Sequence, residues 1–145
     1  MDGRHLTLAA LLLMSSLLAF PAMASPATSR TASPCDGVDR TLADADRREW
    51  SAPIATQLGV AKVDVLQSFA FGGWHIVYVT TYQSDQAFLF YAGDPLTHRY
   101  VTLWAGAAMA DEEQEIFTWA MHDAPAIPAR LAQCFAWHVT KHRDQ

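Results

Sequence analysis

The spacing of apolar residues changes along this chain from a helical period to a two-residue period and back again, and those changes mark out its elements. Before the first helical stretch comes a basic start, Met1 to His5, followed by an uncharged and mainly apolar run from Leu6 to Phe20. Thr41 to Leu58 then places Leu42, Ala45, Trp50, Ile54, Ala55 and Leu58 at helical spacing. Pro53 interrupts that stretch, so the pattern predicts a helix, a break near Ser51 to Pro53, and a further turn or two ending at Gly59.

From Ala61 to Ala105 the period is two. Lys62 to Phe71, Trp74 to Tyr82, Ala87 to Tyr91 and Arg99 to Ala105 are rich in β-branched and aromatic residues, and Gly72-Gly73, Ser84-Asp85 and Gly93-Asp94-Pro95 separate them. Connections this short join antiparallel neighbours, so a four-stranded meander is expected. The helical period returns at Asp111 to Asp123, where the acidic residues Asp111, Glu112, Glu113 and Glu115 suit the positive end of a helix dipole. Pro125 ends that helix, Pro128 fits the first position of another, and Leu131, Cys134, Phe135 and His138 continue it.

Pairing Phe71 with Trp74, Tyr82 with Ala87, and Tyr91 with Tyr100 sorts the strand residues onto two sides. One side collects Leu66, Ala70, Val77, Val79, Phe88, Phe90, Val101 and Leu103, an aliphatic and Phe surface that the helices should cover. The other carries Trp74, Tyr78, Tyr82, Tyr91, Tyr100 and Trp104 among further apolar residues, with Tyr78, Tyr91 and Tyr100 in one row. Tyr and Trp join an apolar body to a polar tip and suit surfaces that are buried only on binding. These six are the candidate binding residues. Cover by a helix, by the N-terminal segment or by a second copy of the chain is the structural alternative.

The opening segment changes the setting. Arg4 supplies a positive n-region, the run to Phe20 an h-region shorter than the roughly 20 residues of a membrane span, and Ala22 and Ala24 a cleavage site before Ser25. Residues 1–24 therefore read as a signal peptide, 25–34 as a flexible lead-in of Ser, Pro, Ala and Thr, and 35–145 as a single domain, periplasmic or secreted and without a membrane span after cleavage. In an oxidising compartment the two cysteines, Cys35 and Cys134, are expected to form one disulfide. Eight Arg against two Lys, abundant Ala and no Asn suggest a GC-rich bacterial coding sequence.

The net charge of −5, with no basic stripe, argues against a nucleic acid as partner. No phosphate loop, dinucleotide fingerprint, nucleophile elbow or zinc-ribbon spacing occurs, so no cofactor, metal or catalytic residue is assigned. His138 and His142 have the spacing of two metal ligands but no third, and read as a frayed, solvated helix end. His75, His98 and Asp94 could supply polar groups, although Asp94 reads first as a turn starter.

The chain is thus expected to be an α+β domain, a four-stranded antiparallel meander with an N-terminal helix and two C-terminal helices packed on one face. The functional expectation is an exported non-catalytic binding protein, an inhibitor or immunity-type protein that occludes a protein or envelope component through its aromatic face. A periplasmic enzyme or ligand carrier with an aromatic-lined pocket, and a structural homodimer, are the alternatives.

Overall fold

A computed structural model describes residues 32–143. The expected signal peptide, and residues 25–31 of the expected lead-in, lie outside the described residues. Ser33 already belongs to a turn, its backbone carbonyl accepting from the Asp36 N–H and its own N–H donating to the Asp36 carboxylate.

The first element, α1 (Asp44–Leu58), is one unbroken helix with Pro53 inside it. Pro53 removes one backbone donor, which ordinarily ends or kinks a helix. Here Trp50 lies on one side of the proline and Ile54 and Ala55 on the other, all buried, so packing holds both halves in line. Ser51 does not cap a second helix; its hydroxyl donates to the Arg47 carbonyl at 2.7 Å. Gly59 ends α1 as expected, with φ +68° in the left-handed region.

Four antiparallel strands follow, β1 (Asp64–Phe71), β2 (Trp74–Thr80), β3 (Ala87–Tyr91) and β4 (Thr102–Ala105), in the spatial order of the sequence. The first hairpin has the expected register, Phe71 opposite Trp74, because Gly72 and Gly73 both adopt the positive φ that a tight primed turn demands. The other two registers differ from expectation. Val79, not Tyr82, faces Ala87, since β2 stops at Thr80 and the Thr81 hydroxyl accepts from the Gln83 N–H at 3.3 Å to begin a longer loop. Phe90 faces Thr102, where Tyr91 was expected to face Tyr100. The intervening loop is held by Asp94, whose carboxylate accepts from the Leu96 N–H at 2.8 Å and whose carbonyl accepts from Thr97 and His98.

Both offsets are odd, and an odd offset turns a strand over. β3 is therefore reversed relative to β2, and β4 is restored. A bulge between Val65 and Gln67 adds one more inversion within β1. The resulting sheet is apolar on both sides. One side, with Phe69, Ile76, Tyr78, Phe88 and Phe90, packs against α2 (Glu113–Asp123) and α3 (Ala129–Lys141) through Ile116, Ala120, Leu131 and Phe135. The other, with Val65, Val77, Val79, Leu89 and Tyr91, packs against Trp50, Ile54 and Ala55 of α1. The helices are thus divided between the two sides of the sheet rather than gathered on one, because each side needs its own cover.

The N-terminal segment is fastened at three points. Cys35 and Cys134 form the expected disulfide, with both residues buried. Asp39 exchanges two backbone hydrogen bonds with Ala70 on the outer edge of β1, at 2.9 and 2.7 Å. Arg130 donates to the Asp36 carbonyl at 2.8 Å. The bridge spans 99 positions, so opening it should restore on the order of 4 kcal/mol of unfolded-chain entropy. Urea unfolding with and without reductant should show that loss, and equal midpoints would contradict it.

Candidate functional site

The six candidate aromatics do not share a surface. Trp74, Tyr78 and Trp104 belong to the side covered by α2 and α3. Trp74 and Tyr78 are buried and Trp104 is half-buried. The Tyr78 ring stacks on Phe88 at 4.1 Å, and Trp104 meets Phe88 and Phe135 at 6.0 and 5.7 Å. The Arg143 guanidinium lies 5.7 Å from the Tyr78 ring and 5.8 Å from that of Trp104, and its Nε donates to the Tyr78 hydroxyl.

Tyr91 and half-buried Tyr100 lie on the α1 side. The Tyr91 hydroxyl donates to Gln57 Oε1 at 3.2 Å, and the same oxygen accepts from the Tyr100 N–H. Burial pushes the Tyr91 phenol well above its ordinary range. Tyr82 stands apart in the β2–β3 loop, 65% exposed, with its hydroxyl on the Asp64 carboxylate and Lys62 Nζ 4.9 Å above its ring. The expected row of Tyr78, Tyr91 and Tyr100 does not form, because the offset of β3 sends Tyr91 to the opposite side. The aromatic surface is largely core.

A different surface remains in water. α1 leaves β4 uncovered, so Val101 is 46% and Leu103 39% exposed, although both were expected in the core. Met109, just beyond the strand, is 66% exposed. From Tyr100 to Ala110 there is no charged side chain, and half-buried Tyr100 and Trp104 flank the exposed residues. That uncharged run on the final strand was the available sequence signal. Among the described residues, no strand pairs with the outer edge of β4.

The polar candidates have local partners. His75 Nδ1 donates to the Gly93 carbonyl at 2.9 Å, and the ring sits edge-on to Trp50. His98 Nδ1 contacts the Thr97 hydroxyl at 2.9 Å, and Asp94 starts its turn as expected. Gly93 has φ +149°, a backbone conformation that side chains disfavour, and a Cβ there would lie 2.6 Å from the His98 ring and push it aside. Among the described residues no cluster of three metal-ligating side chains occurs, and no helix is long and apolar enough to cross a membrane.

His138 departs most from expectation. It is not on a frayed end but in α3, 4% exposed, with its ring 4.9 Å from Phe69 and 6.1 Å from Phe88. Neither ring nitrogen has a hydrogen-bond partner, and Gln67 Oε1 is buried in the same condition. Arg40, Gln67, Ser68, Phe69, His138 and His142 line a cleft of about 340 Å³. Comparison with models of known families, with curated proteins and with solved structures finds no match to this chain.

Burial, reinforced by the positive charges of Arg40, His142 and Arg143, lowers the His138 pKa from 6.5 to about 4. The fold therefore holds a neutral imidazole where the unfolded chain would take up a proton. Its contribution is complete above pH 6.5 and is lost as pH falls from there through about 4. Urea midpoints at pH 7.5 and 4.5 should differ by an amount that includes roughly 2 to 3 kcal/mol from this residue. His138→Leu should remove that part of the difference; an unchanged difference would refute it.

Proposed function

We propose that this chain is an exported, non-catalytic binding protein, of an inhibitor or immunity type, that occludes a protein partner through the β4 margin. The observation that carries this reading is the contrast between the two edges of the sheet. β1 is guarded: Asp39 bonds its outer side at Ala70, the Arg47 guanidinium takes the Val65 carbonyl at 3.0 Å, and Lys62 and Asp64 place charges at its start. Among the described residues no bridge guards the outer side of β4, although the Arg143 guanidinium takes the Gly106 carbonyl just beyond it, and Val101 and Leu103 are exposed. Natural sheets blunt free edges against pairing, so an unblunted, apolar edge fits the addition of an extended segment from a partner.

Export is supported by the signal-like start and by a disulfide that an oxidising compartment would preserve. The binding role of Tyr100 and Trp104 is retained in this reading, as the flanks of the exposed strand. Trp74, Tyr78 and Tyr91 act instead as core supports, and Tyr82 lies outside the contact. The same edge would serve a homodimer, which is the second reading. A carrier using His75, His98 and Asp94 finds less support, because each of these side chains is already occupied locally.

Replacing Val101 and Leu103 together by Lys should change folding stability by no more than about 1 kcal/mol, since both side chains are already partly exposed. A specific partner held by the wild-type mature chain should be released by this double variant and kept by Tyr82→Ser. Retention by the Lys variant would overturn the assignment of the surface. A wild-type dimer in light scattering that the Lys variant dissociates would select self-association.

A further inference from the structure

Where α1 meets the start of β1, the two elements leave a groove of about 650 Å³ between them, a volume ordinary for a small-molecule site. α1 contributes Arg47, Arg48 and Ala52 to its wall, and the chain entering β1 contributes Ala61, Lys62 and Leu66. Alanines on both walls leave the space open. Leu66 is the bulge residue, without a partner on β2, and it stays half-buried at the edge of the sheet.

Arg47 and Arg48 are adjacent and exposed, and neither forms an ion pair with a described residue; Asp44, Asp46 and Glu49 on the same helix do not pair with them. Both lie near the N-terminal, positive end of α1, where a cation is disfavoured, so the helix does not account for them. Arg47 donates to the Val65 carbonyl at 3.0 Å, which uses one N–H of its guanidinium and leaves the rest. Asp64 also lines the groove, but its carboxylate is engaged by Lys62 at 3.3 Å and by the Tyr82 hydroxyl. The groove therefore favours an anion, and a planar carboxylate matches guanidinium N–H groups. Between the charged heads the accessible wall is apolar, made of Ala52, Ala61 and Leu66 with the aliphatic stems of the arginines and Lys62. A wholly polar anion would leave that wall unused. An added strand would need the Val65 carbonyl, and Arg47 already holds it, so the groove does not extend the sheet with a peptide.

We infer that this groove binds an aliphatic carboxylate of the medium-chain fatty-acid class. Its carboxylate accepts from Arg48 and from the remaining N–H groups of Arg47, and its tail lies along Ala52, Ala61 and Leu66. The groove is at the edge of the sheet opposite β4, so it stands or falls independently of the partner surface.

Calorimetric titration of the mature chain at pH 7.5 with monomeric decanoate tests this, beside decyltrimethylammonium, which keeps the tail and reverses the head, and acetate, which keeps the head alone. Decanoate should bind saturably. Decyltrimethylammonium should bind at least about tenfold more weakly, and acetate at least about hundredfold, since each buried methylene adds roughly fourfold. Arg48→Gln removes a charged donor at an exposed position, and Ala52→Leu fills the groove with another good helix former. Each should weaken decanoate by about tenfold or more while its thermal transition confirms folding. No saturable decanoate binding would overturn the inference. So would equal binding of decyltrimethylammonium or acetate, or either variant binding as the wild type does.

Discussion

A four-stranded sheet that is apolar on both sides has to be covered on both, and this requirement organises the rest of the molecule. Phe88 and Phe90 on one side and Leu89 and Tyr91 on the other come from a single five-residue strand with every position buried. A strand in that situation cannot have a wet face. The long α1 must therefore lie straight across one side, which is why Pro53 is tolerated within it. The paired α2 and α3 must take the other side; the disulfide then fastens the entry segment to α3, and the Asp39 bridge fastens it to the edge of β1.

Cover is unequal across the sheet. Trp50, Ile54 and Ala55 pack with residues of β1, β2 and β3, and among the described residues nothing equivalent covers Val101 or Leu103. The exposure of β4 is thus a consequence of helix placement rather than of unusual residues within the strand. Gln57 makes the boundary sharp. Its amide nitrogen donates to the His98 carbonyl at 3.1 Å while its oxygen takes Tyr91 and Tyr100, so the last turn of α1 is tied to the β3–β4 loop. The loop closes the α1 layer where β4 begins.

Much of this was legible in the order of residues. Helical spacing located all three helices, Gly72-Gly73 set the first hairpin and its register, and two cysteines in a chain expected to be exported implied their bond. The later registers were not legible. They depend on the Thr81 hydroxyl catching the Gln83 N–H and on Asp94 gathering three backbone donors, contacts that residue type permits but does not require. One inserted position at Leu66 added a further inversion. Since side chains alternate along a strand, the odd offset of β3 moved Tyr91 away from Tyr78, while α2 and α3 covered the side that keeps Trp74, Tyr78 and Trp104. The uninterrupted Phe88-Leu89-Phe90-Tyr91 run was the clue that this strand had no solvent side at all.

The polar cleft beside the aromatic core follows from the ordinary alternation of β1. The hairpin register set at Phe71 and Trp74 places Gln67 opposite Tyr78, two positions from Phe69, and the bulge beyond it brings Val65 rather than Leu66 opposite Val79. An amide is thereby placed on the α3 side of the sheet, within the same cleft wall as His138. Hydrophobic packing accounts for Phe69 and Phe88 around that imidazole, but it supplies neither ring nitrogen with a partner, and an aliphatic side chain would pack there at lower electrostatic cost. The polar atoms of His138 and Gln67 are thus unexplained by the fold they help to build. His75 and His98, by contrast, are each satisfied by a neighbour, so burial without a polar partner sets His138 apart from the other two candidate histidines.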